Sequence, residues 1–200
     1  MTQNKKVIAI TGSIATGKSL ATDILREMGY FVVDADSIAH EILEEDLILN
    51  EIKDAFGVEF FKDGKLNRKK LADYVFGNKE RLEILNNITH KRVFEKINFE
   101  IKKSSEKLIF VDIPLLIELR GELYKYDFKP DMIWLIYSNK AVQLRRLMQR
   151  DSIDEVYALR KINSQMSVEE KKKYSDIVLI NENSVEDLKI QILNEIEKLK

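Results

Sequence analysis

Five short apolar runs stand out from a chain that is otherwise mixed in polarity: Val7–Ile10, Tyr30–Val33, Leu108–Ile113, Met132–Tyr137 and Ile177–Ile180. Each is almost continuous in hydrophobicity rather than alternating. That is the pattern of parallel strands covered on both faces, because a strand with one wet face alternates. The segments between the runs carry helical spacing, so the order is a repeated β–α unit. Right-handed crossovers then predict a five-stranded parallel sheet with helices on both faces. Ser19 to Met28 reads as the first helix, with Gly29 as its stop. Ser167 with Glu170 and Ser184 with Asp187 read as capping boxes, and the last helix is expected to run to Leu199. The stretch from Ile38 to Ser104 contains no convincing strand. It reads as a helical insertion between the second and third strands, interrupted near Gly57 and Lys62-Asp63-Gly64.

The order of elements makes the first turn of the sheet the most informative place in the chain. Gly12-Ser13-Ile14-Ala15-Thr16-Gly17-Lys18-Ser19 matches G-x-x-x-x-G-K-[ST] and lies between the first apolar run and the first helix. Glycines at both ends let the backbone curl so that successive N–H groups face phosphate oxygens. Lys18 is then within reach of β- and γ-phosphates, and Ser19 is placed to hold Mg²⁺. The helix that follows directs its N-terminal dipole at the same anion. A glycine-rich turn can also merely join a strand to a helix, but the strand–loop–helix context favours a nucleotide-phosphate site. Ligands of such sheets collect at the carboxyl ends of the strands, and the helical insertion is expected to stand over those ends with a second substrate.

Asp34-Ala35-Asp36 follows the second strand and brings two carboxylates to a strand end. Beside a phosphate loop, Asp36 suits the acceptor of a proton from an attacking hydroxyl, since phosphoryl transfer relies on positioning and charge stabilisation. The third strand ends at Asp112, which is placed either to support Mg²⁺ through water or Ser19, or to serve structure alone. After the fourth strand, Arg146 and Arg150 are four residues apart, on one face of an expected helix, where they can grip phosphate oxygens together. The region of about residues 140–165 therefore reads as a mobile lid that folds over nucleotide and excludes water, although such a run is often just a solvated basic face. His40 and His90 have no metal-ligand spacing, and His40 reads as structural.

Composition narrows the setting. The 200 residues suit one domain, residues 1–200, carrying the insertion at about 38–104 and the lid. Lys and Arg total 33 against 34 Asp and Glu, a net charge of −1, so no wide-field attraction to nucleic acid or an anionic membrane is expected. The chain has no cysteine, hence no disulfide and no thiolate metal site, which fits a reducing compartment. Met1 to Lys6 is polar, the first apolar run is too short for a signal-peptide core, and no apolar stretch approaches the ~18 residues of a membrane span. A cytoplasmic protein with small-molecule partners, and with neither nucleic acid nor membrane as a partner, is the expectation.

Six motifs together resemble the dephospho-CoA kinase family: Thr11-Gly12 through Ser19; Val33-Asp34-Ala35-Asp36 with Ile38-Ala39; Gly64-Lys65-Leu66-Asn67-Arg68 followed by Leu71 and Val75-Phe76; Asp112-Ile113-Pro114-Leu115-Leu116-Ile117-Glu118; Gln143 to Asp151; and Gln165 with Asp176-Ile177-Val178-Leu179-Ile180-Asn181. They span nearly the whole chain in the family's order. The resemblance implies a P-loop nucleoside triphosphate hydrolase fold of the mononucleotide-kinase type. It also implies ATP-dependent phosphorylation of the ribose 3′-hydroxyl of dephospho-CoA, the last step of coenzyme A synthesis, with ATP and Mg²⁺. Carried over, it makes Asp36 the base, gives Lys18, Ser19 and the loop to ATP and Mg²⁺, puts Arg68 and His90 in the acceptor region, and assigns Arg146 and Arg150 to the lid. The chain departs from the family's usual pattern at Ser13 and Ala15, where glycines are usual, and at Lys91, where proline is usual. Asn181-Glu182-Asn183-Ser184 also lacks a glycine often found there.

Two rivals follow from the same loop. One is a nucleoside or nucleotide kinase on this scaffold. The other is a nucleotide-dependent switch, which calls for a guanine-recognition sequence Asn-Lys-x-Asp; here Asn139-Lys140 is followed by Ala141-Val142.

Overall fold

The computed structural model describes residues 5–199, so the polar residues 1–4 lie outside it. In chain order the elements are β1 (Lys6–Gly12), α1 (Lys18–Glu27), β2 (Phe31–Asp34), α2 (Ala35–Ile42), α3 (Asp46–Phe56), β3 (Phe61–Lys62), β4 (Lys65–Leu66), α4 (Arg68–Val75) and α5 (Lys79–Lys103). They continue as β5 (Leu108–Asp112), β6 (Met132–Tyr137), α6 (Lys140–Asp151), α7 (Glu155–Asn163), α8 (Val168–Lys172), β7 (Ile177–Ile180) and α9 (Val185–Glu197). Two compact units emerge: one of the residues up to Asp34, Ser104–Lys125 and those from Lys129 on, the other of Ala35–Lys103 with Tyr126–Phe128.

The first unit is built on a five-stranded sheet of order β2-β5-β1-β6-β7, every pair parallel. All five apolar runs became its strands. Ile8, Ala9 and Ile10 are each fully buried, so side chains on both faces of the central β1 are covered, as continuous hydrophobicity requires. On one face Ile8, Ile10, Phe110, Trp134 and Ile136 pack with Ala21, Ile24 and Leu25 of α1 and Leu188, Ile192 and Ile196 of α9. Leu25 and Leu188, fully buried from the two helices, mark the stripe each contributes. Register aligns Ile10 and Asp34 with Asp112, so β2 and β5 end level with each other while β1 runs on two residues to Gly12.

The helix ends behave mostly as their sequences direct. Gly29, at φ +84, donates its N–H to Arg26 O and stops α1. Ser184 and Asp187 form the full reciprocal capping box of α9. The box expected at Ser167 and Glu170 is only half made: Ser167 Oγ accepts from Glu170 N, while the Glu170 carboxylate pairs with Lys173 instead. α9 ends at Glu197, two residues before the expected Leu199.

The second unit begins at Ala35, directly after β2, and takes in nearly all of residues 38–104. Within it α2 and α3 pack on α5, and Arg92 and Lys96 of α5 both pair with Glu45, at 2.7 and 2.8 Å. Tyr126 and Phe128 join this unit because they pack on Phe94, Tyr126 in a near-parallel stack at 4.8 Å. One expectation fails here: residues 38–104 do contain strands, the antiparallel hairpin β3–β4. Its turn is Asp63-Gly64, with φ +52 and +77, the left-handed pair of a two-residue hairpin loop. Strands of two residues are too short to show alternation, so only the turn was visible in sequence.

Candidate active site

The loop between β1 and α1 spans Ser13 to Gly17 and is held from several sides. Thr16 N and Oγ1 both donate to Ser13 O, at 3.2 and 2.9 Å, which closes the curl from inside. From outside, Ser13 Oγ donates to Met166 O, and Ile14 N donates to Gln165 Oε1 at 2.9 Å. Asn181 Nδ2 donates to Thr16 O at 2.9 Å. Gly17 enters α1 at φ +89, and a Cβ there would lie 2.0 Å from Asn181 Nδ2. Only glycine meets both demands.

The two departures from the glycine pattern differ in cost. Ser13 keeps an ordinary backbone conformation, whereas Ala15 sits at φ +59, a left-handed geometry costing an alanine about 1 kcal/mol or more. Ala15 and its neighbour Ile14 pack against Leu147, Ala158 and Ile162, together with Leu144, Met148 and Ile153. Ala15 and Ile14 thus pack the loop against the α6–α7 region, while Ser13 ties it to Met166 through its hydroxyl.

Lys18 begins α1 and turns its ammonium to Asp112, with Nζ 2.5 Å from Oδ1. Both are largely buried, at 16% and 5% side-chain exposure, and Asp112 is the last residue of β5. Ser19 is exposed on the first turn of α1. A serine hydroxyl and a carboxylate are hard oxygen donors that suit Mg²⁺, which takes few protein ligands and keeps water. No cluster of three or more His, Cys, Asp or Glu able to hold a metal occurs among the described residues.

Arg146, on α6, points at the loop. Its Nη1 donates to Asn181 O at 2.9 Å and to Ser138 Oγ at 3.0 Å. Ser138 Oγ in turn is 2.6 Å from Asn181 O, so one arginine, one serine and one asparagine brace Thr16 and Gly17. Arg150 does not join it: Nε donates to Asp151 at 2.8 Å and the side chain is 60% exposed. The helix that carries Arg146 and Arg150 ends at Ser152, φ +53, before α7 begins, and Asp151 ties the break by accepting from both Arg150 and Lys161. These cations hold the Asp151 carboxyl down to about 2.

In the second unit, Asp36 lies in the first turn of α2 and its side chain is exposed. His40 Nδ1 is 2.8 Å from Asp36 O, a local bond in keeping with a structural histidine. Arg68 Nη2 donates to His40 O and to Glu44 Oε1, both at 3.2 Å. It lines a cleft of ≈ 550 Å³ with Leu43, Leu49, Gly64 and Leu66. His90, on α5, meets Tyr126 edge to face at 6.2 Å. It is not among the residues lining the Arg68 cleft.

Sequence reasoning passed over Lys171. It is fully buried on α8, with Nζ donating to Gly12 O at 3.1 Å and Pro114 O at 3.0 Å and lying 3.0 Å from Glu118 Oε1. The Glu118 contact is an ion pair whose angle falls outside hydrogen-bond geometry. Burial pushes the Lys171 ammonium down from the ordinary lysine range, Glu118 pulls it up, and the nearby Lys18 charge adds to the push.

With this geometry in place, comparison with known proteins is decisive. The dephospho-CoA kinase family model matches residues 6–187. The chain belongs to the dephospho-CoA kinase family. A dephospho-CoA kinase of Carboxydothermus hydrogenoformans is 40% identical over 97% of this chain and 94% of its own. That of Fusobacterium nucleatum is 42% identical over 91% and 92%. Among solved structures, a Thermus thermophilus protein aligns with TM-score 0.84 at 31% identity, covering 98% and 99% of the two chains. The dephospho-CoA kinase of Campylobacter jejuni aligns with TM-score 0.63 at 33% identity over 98% of each chain. A shikimate kinase of Acinetobacter baumannii, at 12% identity and TM-score 0.59 over 99% and 96%, shares the fold alone.

Proposed function

We infer that this protein transfers the γ-phosphoryl group of ATP to the ribose 3′-hydroxyl of dephospho-CoA, giving ADP and CoA. The match of the dephospho-CoA kinase model across residues 6–187 carries this reading, and the phosphate loop supports its phosphoryl donor. Backbone N–H groups of the loop bind the ATP phosphates, and Lys18 leaves Asp112 to neutralise charge on the β- and γ-phosphates. Ser19, supported by Asp112, would hold Mg²⁺. That ion supplies Lewis-acid charge neutralisation when bound.

Asp36 orients the 3′-hydroxyl and takes its proton as the oxygen attacks phosphorus. The P–O bond to ADP breaks in line with the new one, and the proton stays on the carboxyl until product leaves. Arg68, at the Arg68–Glu44 cleft, binds the acceptor, as does His90. Arg146 stabilises the transferring group, and Arg150 joins it when the α6–α7 lid closes, exchanging Asp151 for phosphate.

Incubating the protein with ATP and Mg²⁺ and with either dephospho-CoA or a panel of nucleosides, nucleoside monophosphates, shikimate and gluconate tests the acceptor. ADP is expected in quantity only with dephospho-CoA. Preferential phosphorylation of any other acceptor would overturn the reading.

A further inference from the structure

Three consecutive residues at the start of the phosphate loop are held by one short segment of chain. Gly12 O accepts from Lys171, Ser13 Oγ donates to Met166 O, and Ile14 N donates to Gln165 Oε1. The segment lies between the lid helix α7 and strand β7, and makes these contacts across more than 150 residues of sequence. We propose that Gln165 to Lys171 is a positioning strap for the phosphate loop, anchored by Lys171, which never touches nucleotide itself.

The anchor has an unusual chemistry for a side chain with no exposure. A buried ammonium is costly, and an apolar side chain would often serve packing equally well. Lys171 offsets that cost with three partners: two carbonyl acceptors, Gly12 O and Pro114 O, and the counter-charge of Glu118. Two of the three set the site. Gly12 is the last residue of β1, and Pro114 stands two residues beyond Asp112, the partner of Lys18. Pro114 O is shared with Thr11 Oγ1 at 2.9 Å, so β1 and the end of β5 are drawn to one ammonium.

The bond to Gly12 O also fixes an orientation. In a planar trans peptide the C=O and N–H point in opposite directions. Turning the Gly12 carbonyl toward Lys171 therefore turns the Ser13 N–H away from it, and sets the plane from which the loop departs. Gln165 sets the next donor, Ile14 N–H. The strap thus presets the loop's amide directions before nucleotide arrives, and preorganised donors are what phosphate binding and charge stabilisation require.

This inference rests on the loop being the ATP site, and the two can fail separately. If the wild-type protein binds no ATP, that assignment fails; the strap is judged on variants of a protein that does. Lys171→Met with Glu118→Gln removes the ammonium and its counter-charge together, leaving no lone buried ion. In this double variant, once circular dichroism and melting show it folded, the KM and Kd for ATP are expected to rise about 10-fold or more and kcat to fall, since small misplacements of a site are costly. The KM for dephospho-CoA is expected to stay within about twofold. A folded variant with wild-type ATP affinity, or with equal losses for both substrates, overturns the proposal. Gln165→Leu, at a half-buried site, decides the matter if the double variant does not fold: ATP affinity should fall severalfold at an unchanged melting temperature, and unchanged affinity overturns the strap.

Discussion

Lys18 Nζ sits 2.5 Å from Asp112 Oδ1, pairing the ammonium of the phosphate loop with a carboxylate at the end of the neighbouring strand. A flexible lysine is thereby parked in one orientation, at the cost of taking two charges largely out of water. Asp112→Asn removes the counter-charge and leaves the ammonium in place. The expected loss is about 2 kcal/mol, less than the roughly 3–5 of a fully buried pair, because Lys18 keeps some contact with water. Urea unfolding of both single variants and of Lys18→Met with Asp112→Asn checks this: coupling above about 1 kcal/mol is expected, and additive effects would deny the pair a role.

Gly17 illustrates the steric side of the same loop. Gly17→Ala drives a methyl into Asn181 Nδ2 at a backbone angle that alanine rarely adopts. Asn181 must move, and its bond to Thr16 O goes with it. Calorimetric titration should show ATP affinity lowered about 10-fold or more, in line with losing preorganised donors. Gly121→Ala, where a Cβ meets nothing within 4 Å, is the control expected to leave affinity unchanged.

Asp151 links α6 and α7 through Arg150 and Lys161, and its carboxyl is held down to about 2 from 3.8. A depressed carboxyl stabilises the fold above its unfolded pKa, and that contribution is lost as pH falls. The stability difference between wild type and Asp151→Asn should therefore be constant above about pH 5 and shrink as pH drops from 4 toward 2. Thermal melts across that range report it. A difference that does not change with pH would mean that the carboxylate charge contributes nothing.

How far the sequence reached depended on whether a feature was periodic or spatial. Ile8, Ile10, Phe110 and Trp134 announced the sheet because burial on both faces leaves a local, unbroken signal. The phosphate loop was legible because its glycines answer backbone needs fixed within eight residues. Hairpin β3–β4 was not, being carried by a single Asp-Gly turn. Lys171 was least visible: it stands in Glu169-Glu170-Lys171-Lys172-Lys173, a charge run that reads as a solvated face, yet it is fully buried while Lys172 and Lys173 are exposed. Its partners, Gly12 and Pro114, lie 159 and 57 residues away. The split between Arg146 and Arg150 escaped for a related reason. Helical spacing puts both on one face, but Asn181 and Ser138 claim the first, and Asp151 the second.

Transfer chemistry that depends on Asp36 is tested most directly by single-turnover kinetics of Asp36→Asn with ATP, Mg²⁺ and dephospho-CoA, set beside calorimetric ATP affinity. The expected result is a transfer rate lowered by roughly 10²-fold or more, the scale of general-base assistance, with ATP binding within about twofold of wild type. Transfer at the wild-type rate in that variant would contradict the assignment of Asp36 as the base.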